Sequence, residues 1–269
     1  MRYYTIQAPQ VLAPYVKCYW VLEDELPSNS SYVYRSMADT CVEMVFHYRG
    51  TFDELTADNT TRSSFKAGLN GQTSHYNRFV THESFALFGV YLYPFALPAL
   101  FNISAEAVSN EMPDLQQLLG SEGKQLEEQV MLAATNQVRA DILSSFFIKK
   151  LSKSDNPVQP IFSSVMYLLQ AQHAVNITTL ANDYFLSMRQ FERKFKACAG
   201  FTPKLYARIA RFQQALKQYG SKQKSLTRIA YDCGYYDQAH FIHDFKSFSG
   251  HNPQHFFAGG SEGAEWRDC

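Results

Sequence analysis

Residues 187–203 read SMRQFERKFKACAGFTP, and residues 237–253 read DQAHFIHDFKSFSGHNP. Both stretches carry the frame F-x3-F-x4-G-x2-P: Phe191, Phe195, Gly200 and Pro203, then Phe241, Phe245, Gly250 and Pro253 fifty residues later. Upstream of each lies an A-x-D, Ala181 with Asp183 and Ala230 with Asp232, offset by forty-nine because the second copy carries one extra residue. Self-similarity at a fixed period marks one supersecondary unit used twice. In each unit the phenylalanines stand four apart, which sets both on one face of a helix. Ser187 and Asp237 are the residue types that cap a helix start, and the glycine that follows ends the helix.

A shorter helix precedes each frame. Thr178 or Thr179 caps one carrying Leu180, Ala181 and Tyr184; Ser225 caps the other, with Leu226, Ile229, Ala230 and Cys233, before Gly234 ends it. Each copy therefore reads helix, tight turn, helix, a form whose second helix enters a DNA major groove. Thr202-Pro203 sets a capping hydroxyl before a proline at the first helical position and opens a long helix to about Tyr219 that joins the copies. Asn252-Pro253 repeats the device for a terminal helix through Phe257. From Ile161 to Ala258 twelve Lys and Arg face five acids, a surplus of seven in a chain whose formal net charge is zero. Basic charge is segregated into this part, as a polyanionic partner requires.

The stretch from Ile177 to Phe257 resembles the DNA-binding domain of the AraC/XylS transcription regulators. The resemblance is carried by S-x3-F-x2-K-F-K from Ser187 and by I-A-x-D-C-G-Y-x-D-x2-H-F-x3-F-K-x2-S-G-x-N-P from Ile229. It differs at Phe191-Glu192-Arg193, where many members carry Leu-x-Arg, and at His243, where arginine is common. The resemblance implies two recognition helices reading successive major grooves, with Phe191, Phe195, Phe241 and Phe245 turned inward. Their exposed neighbours then face DNA: Met188, Arg189, Glu192 and Arg193 in the first copy, and Gln238, Ala239, His240, Ile242 and His243 in the second. Arg189 and Arg193 suit guanine, Glu192 cytosine, Gln238 adenine and Ala239 a thymine methyl. Lys196 and Lys246 suit phosphates. Glu192 has an equal competing use, pairing with Lys196 one turn on, and His240 a competing use in packing its helix. Asp183 and Asp232 read as internal hydrogen-bonding groups of the two units.

Residues 152–160, SKSDNPVQP, read as a linker. They divide the chain into 1–151 and 161–258, with a glycine-rich acidic tail at 259–269 expected to be disordered. Up to about Pro94 the chain reads as β-rich, with short strands at Tyr15–Leu22, Tyr32–Ser36, Val42–Tyr48, Phe65–Leu69 and Ser84–Tyr93, a pattern that suits a barrel or a sandwich. Helical spacing follows over Leu115–Leu119, Lys124–Thr135 and Val138–Leu151. The expected fold is α+β with two domains: a β-rich first part with a helical tail, then an all-α part. In the family this first position belongs to a sensing and oligomerising domain, often a cupin-like barrel. Aromatic side chains with polar tips, Trp20, Tyr32, Tyr34, His47, Tyr48 and Tyr91, suit the walls of a small-molecule pocket, with Trp20, Tyr34, His47 and Tyr91 the preferred set. The apolar helical face of Ile142, Leu143, Phe146 and Phe147 suits self-association or, equally, burial against its own barrel.

His47, His75 and His82 are scattered and no H-x-H exists, so neither a metal site nor a cofactor is expected. Five cysteines, odd in number and without C-x-x-C, do not suggest a disulfide framework. No apolar run approaches the ~20 residues a membrane span needs, and the start lacks a signal-peptide core. The reading is a cytoplasmic, non-enzymatic regulator whose partners are promoter DNA, RNA polymerase, a small-molecule effector and a second copy of itself. The competing reading is a DNA-binding module fused to a modifying or repair enzyme, which calls for a reactive cysteine; neither Cys18 nor Cys41 has the sequence setting for one.

Overall fold

A computed structural model describes residues 1–56, 58–153, 160–171, 175–218 and 224–259. Among the described residues nine strands open the chain: β1 (Arg2–Ile6), β2 (Val16–Asp24), β3 (Tyr32–Ser36), β4 (Val42–Arg49), β5 (Asp53–Leu55), β6 (Thr61–Arg62), β7 (Ala67–Asn70), β8 (Asn77–Thr81) and β9 (Phe85–Leu92). They form two sheets, β1-β2-β9-β4-β7 and β3-β8-β5-β6. Neither closes into a barrel, so of the two expected forms the chain adopts the sandwich. Side chains of a strand alternate between faces, and the larger sheet is apolar on both. Tyr19, Val21, Met44, Phe46, Phe88 and Val90 pack on one side into the main core. Trp20, Leu22, Val45, Phe85 and Leu87 point the other way and meet Phe52 and Phe79 in a second cluster between the sheets. These central strands read as continuous apolar runs because both faces are covered. Strands β1, β5, β6 and β8 are short or half-exposed and gave no such run.

Eleven helices follow among the described residues: α1 (Ala96–Phe101), α2 (Leu115–Leu119), α3 (Ser121–Leu132), α4 (Asn136–Ser152), α5 (Pro160–Gln170), α6 (Ile177–Asp183), α7 (Met188–Ala199), α8 (Pro203–Leu216), α9 (Leu226–Asp232), α10 (Gln238–Ser249) and α11 (Pro253–Phe257). A 3-10 turn at Ala105–Val108 lies between α1 and α2. Helix α4 covers the outer face of the larger sheet, where the Tyr19 and Ser144 hydroxyls hydrogen-bond at 2.8 Å. Leu143 and Phe147 are fully buried there, and Ile142 and Phe146 pack against the same core, so the apolar face expected to drive self-association is largely used within the chain. Most of the expected linker, residues 154–159, and the tail from 260 on lie outside the described residues. Beyond the linker, Phe162 of α5 stacks on Phe95 at 4.9 Å, and one contiguous core runs from the sheet into the last six helices. Cys41, Cys198 and Cys233 are free and buried. Cys18 is disulfide-bonded, which the cysteine spacing did not suggest.

Candidate nucleic-acid interface

The first unit is α6, a turn and α7. Asn176 caps α6, its Oδ1 accepting from Thr178 and Thr179 N–H at 3.0 and 3.1 Å; the two threonines are thus the residues capped, one step inside the reading from sequence. Ser187 and Gln190 form a reciprocal capping box at the start of α7. In the turn between, Phe185 has φ +55° and is 96% exposed. Gly234 holds the equivalent place in the second unit with φ +74°, the conformation a glycine takes without the Cβ clash of other residues.

On α7, Phe191 and Phe195 are fully buried while Arg189, Glu192 and Arg193 are exposed. Met188 is half-buried against the core. Lys196 reaches back to the 3-10 turn, its Nζ 2.6 Å from Glu106 Oε1, so its partner is an acid of the first half of the chain. On α10, Asp237 accepts from His240 N–H at 2.7 Å, and Phe241, Phe245 and Phe248 are buried. Ala239, His243 and Lys246 are exposed. Gln238 accepts a 2.7 Å hydrogen bond from the Thr227 hydroxyl, tying α10 to α9. His240 packs edge-on to Tyr235, and Ile242 is partly buried.

Asp244, which the sequence reading left without a role, organises the second unit. Its side chain is 1% exposed and takes two hydrogen bonds from Arg208 of α8, at 2.7 and 3.4 Å. His240 and His243 each stand 3.6 Å from it. Arg211 donates to Gly234 O at 3.1 Å and lies over the Tyr235 ring. The signal was an acid directly preceding an inward phenylalanine, matched by an arginine among the apolar positions of α8. Asp232 pairs with Lys224 and Arg228, and the Lys224 hydrogen bond, followed by the Arg228 charge, lowers its pKa. Several bases of the surplus are therefore engaged inside the protein. Those exposed along α7 and α10 are Arg189, Arg193, Lys194 and Lys246.

Between the sheets the structure brings Trp20, Tyr34, His47 and Tyr91 around one cavity of about 700 Å³, open mouth included. Tyr32 lies beside it, stacked on Phe85. Tyr48 does not take part: it turns to the helical face, where its hydroxyl donates to Glu23 and Arg139 lies 3.9 Å over its ring. The sequence reading missed Glu43, which lines the cavity. Burial, then the Asp39 charge, pushes its pKa up to about 7 against hydrogen bonds from Tyr91 and Asn70. Burial lowers that of His47.

Two helix-turn-helix units joined by one helix define a bipartite DNA-binding fold. Residues 180–259 match the helix-turn-helix domain family, and residues 4–114 match a domain of unknown function, DUF6597. The transcriptional activator RhaS of Mannheimia succiniciproducens is 37% identical over 68 residues, 25% of each chain. The probable transcriptional regulator LumQ of Photobacterium leiognathi is 29% identical over 85 residues, 32% of this chain and 34% of that protein. The chain thus spans a quarter to a third of the length of these relatives. ToxT from Vibrio cholerae shares the fold across both halves, at TM-score 0.50 and 11% identity, over 89% of this chain and 98% of ToxT.

Proposed function

We propose that this protein is a sequence-specific DNA-binding transcription regulator that reads a bipartite site with α7 and α10. The observation that carries this reading is the pair of capped helices, each buried through its phenylalanines and each presenting a polar, partly basic outer face, mounted on one helix α8. Arg189 and Arg193 are the base-reading side chains of α7, and Lys246 a phosphate contact of α10. The sandwich is the effector-binding part, with residues 1–151 and 161–258 as the two domains. The setting is the cytoplasm, and RNA polymerase is the machinery it acts upon. A homodimer would use surface other than Leu143 and Phe147. The reading assigns the chain no reaction and no cofactor.

The test is selection of bound sequences from random duplex DNA. Arg193→Ala is expected to lose a guanine at one half-site, at about 1–3 kcal/mol, while the other half-site is kept. An unchanged motif with uniformly weaker binding would remove Arg193 from the reading role, and salt-independent binding would remove DNA as the partner.

A further inference from the structure

The cavity between the sheets has a chemistry of its own. Its walls are aromatic, with Trp20, Tyr34, Phe52, Phe79 and Tyr91 among them. Gly89 makes room for the Trp20 ring: a Cβ there would lie 2.2 Å from the indole. Trp20 Nε1 is buried and has no hydrogen-bond partner, in a residue only 8% exposed. A buried donor left open is costly unless something completes it. Glu43 is the one acid among the described residues lining the cavity, and no lysine or arginine lines it. Asp39 lies behind it, accepting from the Tyr91 hydroxyl at 3.2 Å, and Lys17 sits on the Tyr91 ring at 5.4 Å.

We propose that this cavity binds a small organic cation, its ammonium group beside Glu43, its apolar body among the aromatic rings and an acceptor atom at Trp20 Nε1. The inference rests on reading the sandwich as the effector-binding part. Aromatic faces attract cations through their negative quadrupoles, the more so when desolvated. Burial outweighs the Lys17 charge at the Glu43 carboxyl, and a ligand ammonium beside it would favour the ionised form further. An anion of the same size would meet Glu43, Asp39 and the faces of the rings, with polar side chains but no lysine or arginine of the lining in its favour.

The probes are 2-phenoxyethylamine, 2-phenoxyethanol and phenoxyacetate, one skeleton with three charges, titrated calorimetrically into the full-length chain at about pH 8, where Glu43 is ionised. The amine is expected to bind about tenfold tighter than the alcohol, with phenoxyacetate weakest. Glu43→Gln should bring the amine to the level of the alcohol, and Trp20→Phe should weaken amine and alcohol alike. The amine's advantage should shrink as pH falls through about 7, because Glu43 takes up a proton while His47, lowered by burial, stays neutral over most of that range. Phenoxyacetate binding as well as the amine, no amine binding, or a full amine advantage in Glu43→Gln would each overturn the proposal. DNA binding by the same preparations, followed by gel shift, separates this failure from failure of the regulator reading.

Discussion

Arg208 and Asp244 form an unequal pair, and the inequality predicts the outcome of mutation. The Asp244 side chain is 1% exposed, whereas Arg208 keeps 32% of its surface in solvent. Removing one partner of a buried pair costs about 3–5 kcal/mol, chiefly through the charge left without compensation. Arg208→Met strands the buried carboxylate. The expected loss is about 3 kcal/mol. Asp244→Leu strands a guanidinium that can turn to water, at about 1–2 kcal/mol. Arg208→Met with Asp244→Leu removes both charges and should lie within about 1 kcal/mol of the parent, far from the sum of the single changes. Urea unfolding of the four proteins measures this. Equal single-mutant losses, or an additive double mutant, would refute the reasoning.

Phe185→Gly should stabilise the chain: relief of the left-handed backbone is worth about 1–2 kcal/mol, glycine's added freedom in the unfolded chain returns about 0.5–1 kcal/mol, and a side chain 96% exposed forfeits little packing; a lower melting temperature would count against it. Glu106→Ala should release Lys196, raising affinity for duplex DNA and steepening the salt dependence by about one phosphate contact; an unchanged slope would show Lys196 turned away from DNA in the complex. Glu43 sheds its proton near 4.5 when unfolded and near 7 when folded. The native state thus binds more protons across that window, and stability falls as pH rises through it, by up to about 3 kcal/mol. His47 contributes the opposite slope, so the quantity to measure is the difference between parent and Glu43→Gln, which should shrink as pH falls from about 7 and be small below about 5.

The paired phenylalanines made both helix-turn-helix units legible, because a period of four and a polar cap are local signals. Trp20, Tyr34, His47 and Tyr91 were legible as a set by their aromatic, polar-tipped chemistry. Glu43 was not, since an acid amid an apolar strand reads the same whether it faces water or a cavity. Which face β4 turns inward is fixed by its antiparallel register with β9, in which Met44 faces Val90. Asp244 and Arg208 escaped for a related reason: they stand thirty-six residues apart, and only the packing of α8 on α10 joins them. Lys196 shows the limit of equivalence within a repeat. It matches Lys246 in sequence, yet the 3-10 turn that pairs with it has no counterpart beside α10.

Helices α7 and α10 are both held at their far ends by the first half of the chain. At the end of α7, Ser104 and Ser109 donate to Ala197 O and Gly200 O. Beyond the middle of α10, the Ala38 N–H donates to Phe248 O at 2.9 Å and Arg35 Nη1 to Ser249 O at 3.3 Å. The two helices are set like the prongs of a tuning fork whose handle is the proposed effector-binding sandwich. Arg35 directly follows the cavity-wall residue Tyr34, so this grip on α10 is one peptide bond away from the cavity wall. On the proposed function, a shift in how β3 seats would reach α10 through these two hydrogen bonds, and B-form DNA, with its fixed helical repeat, would gauge it.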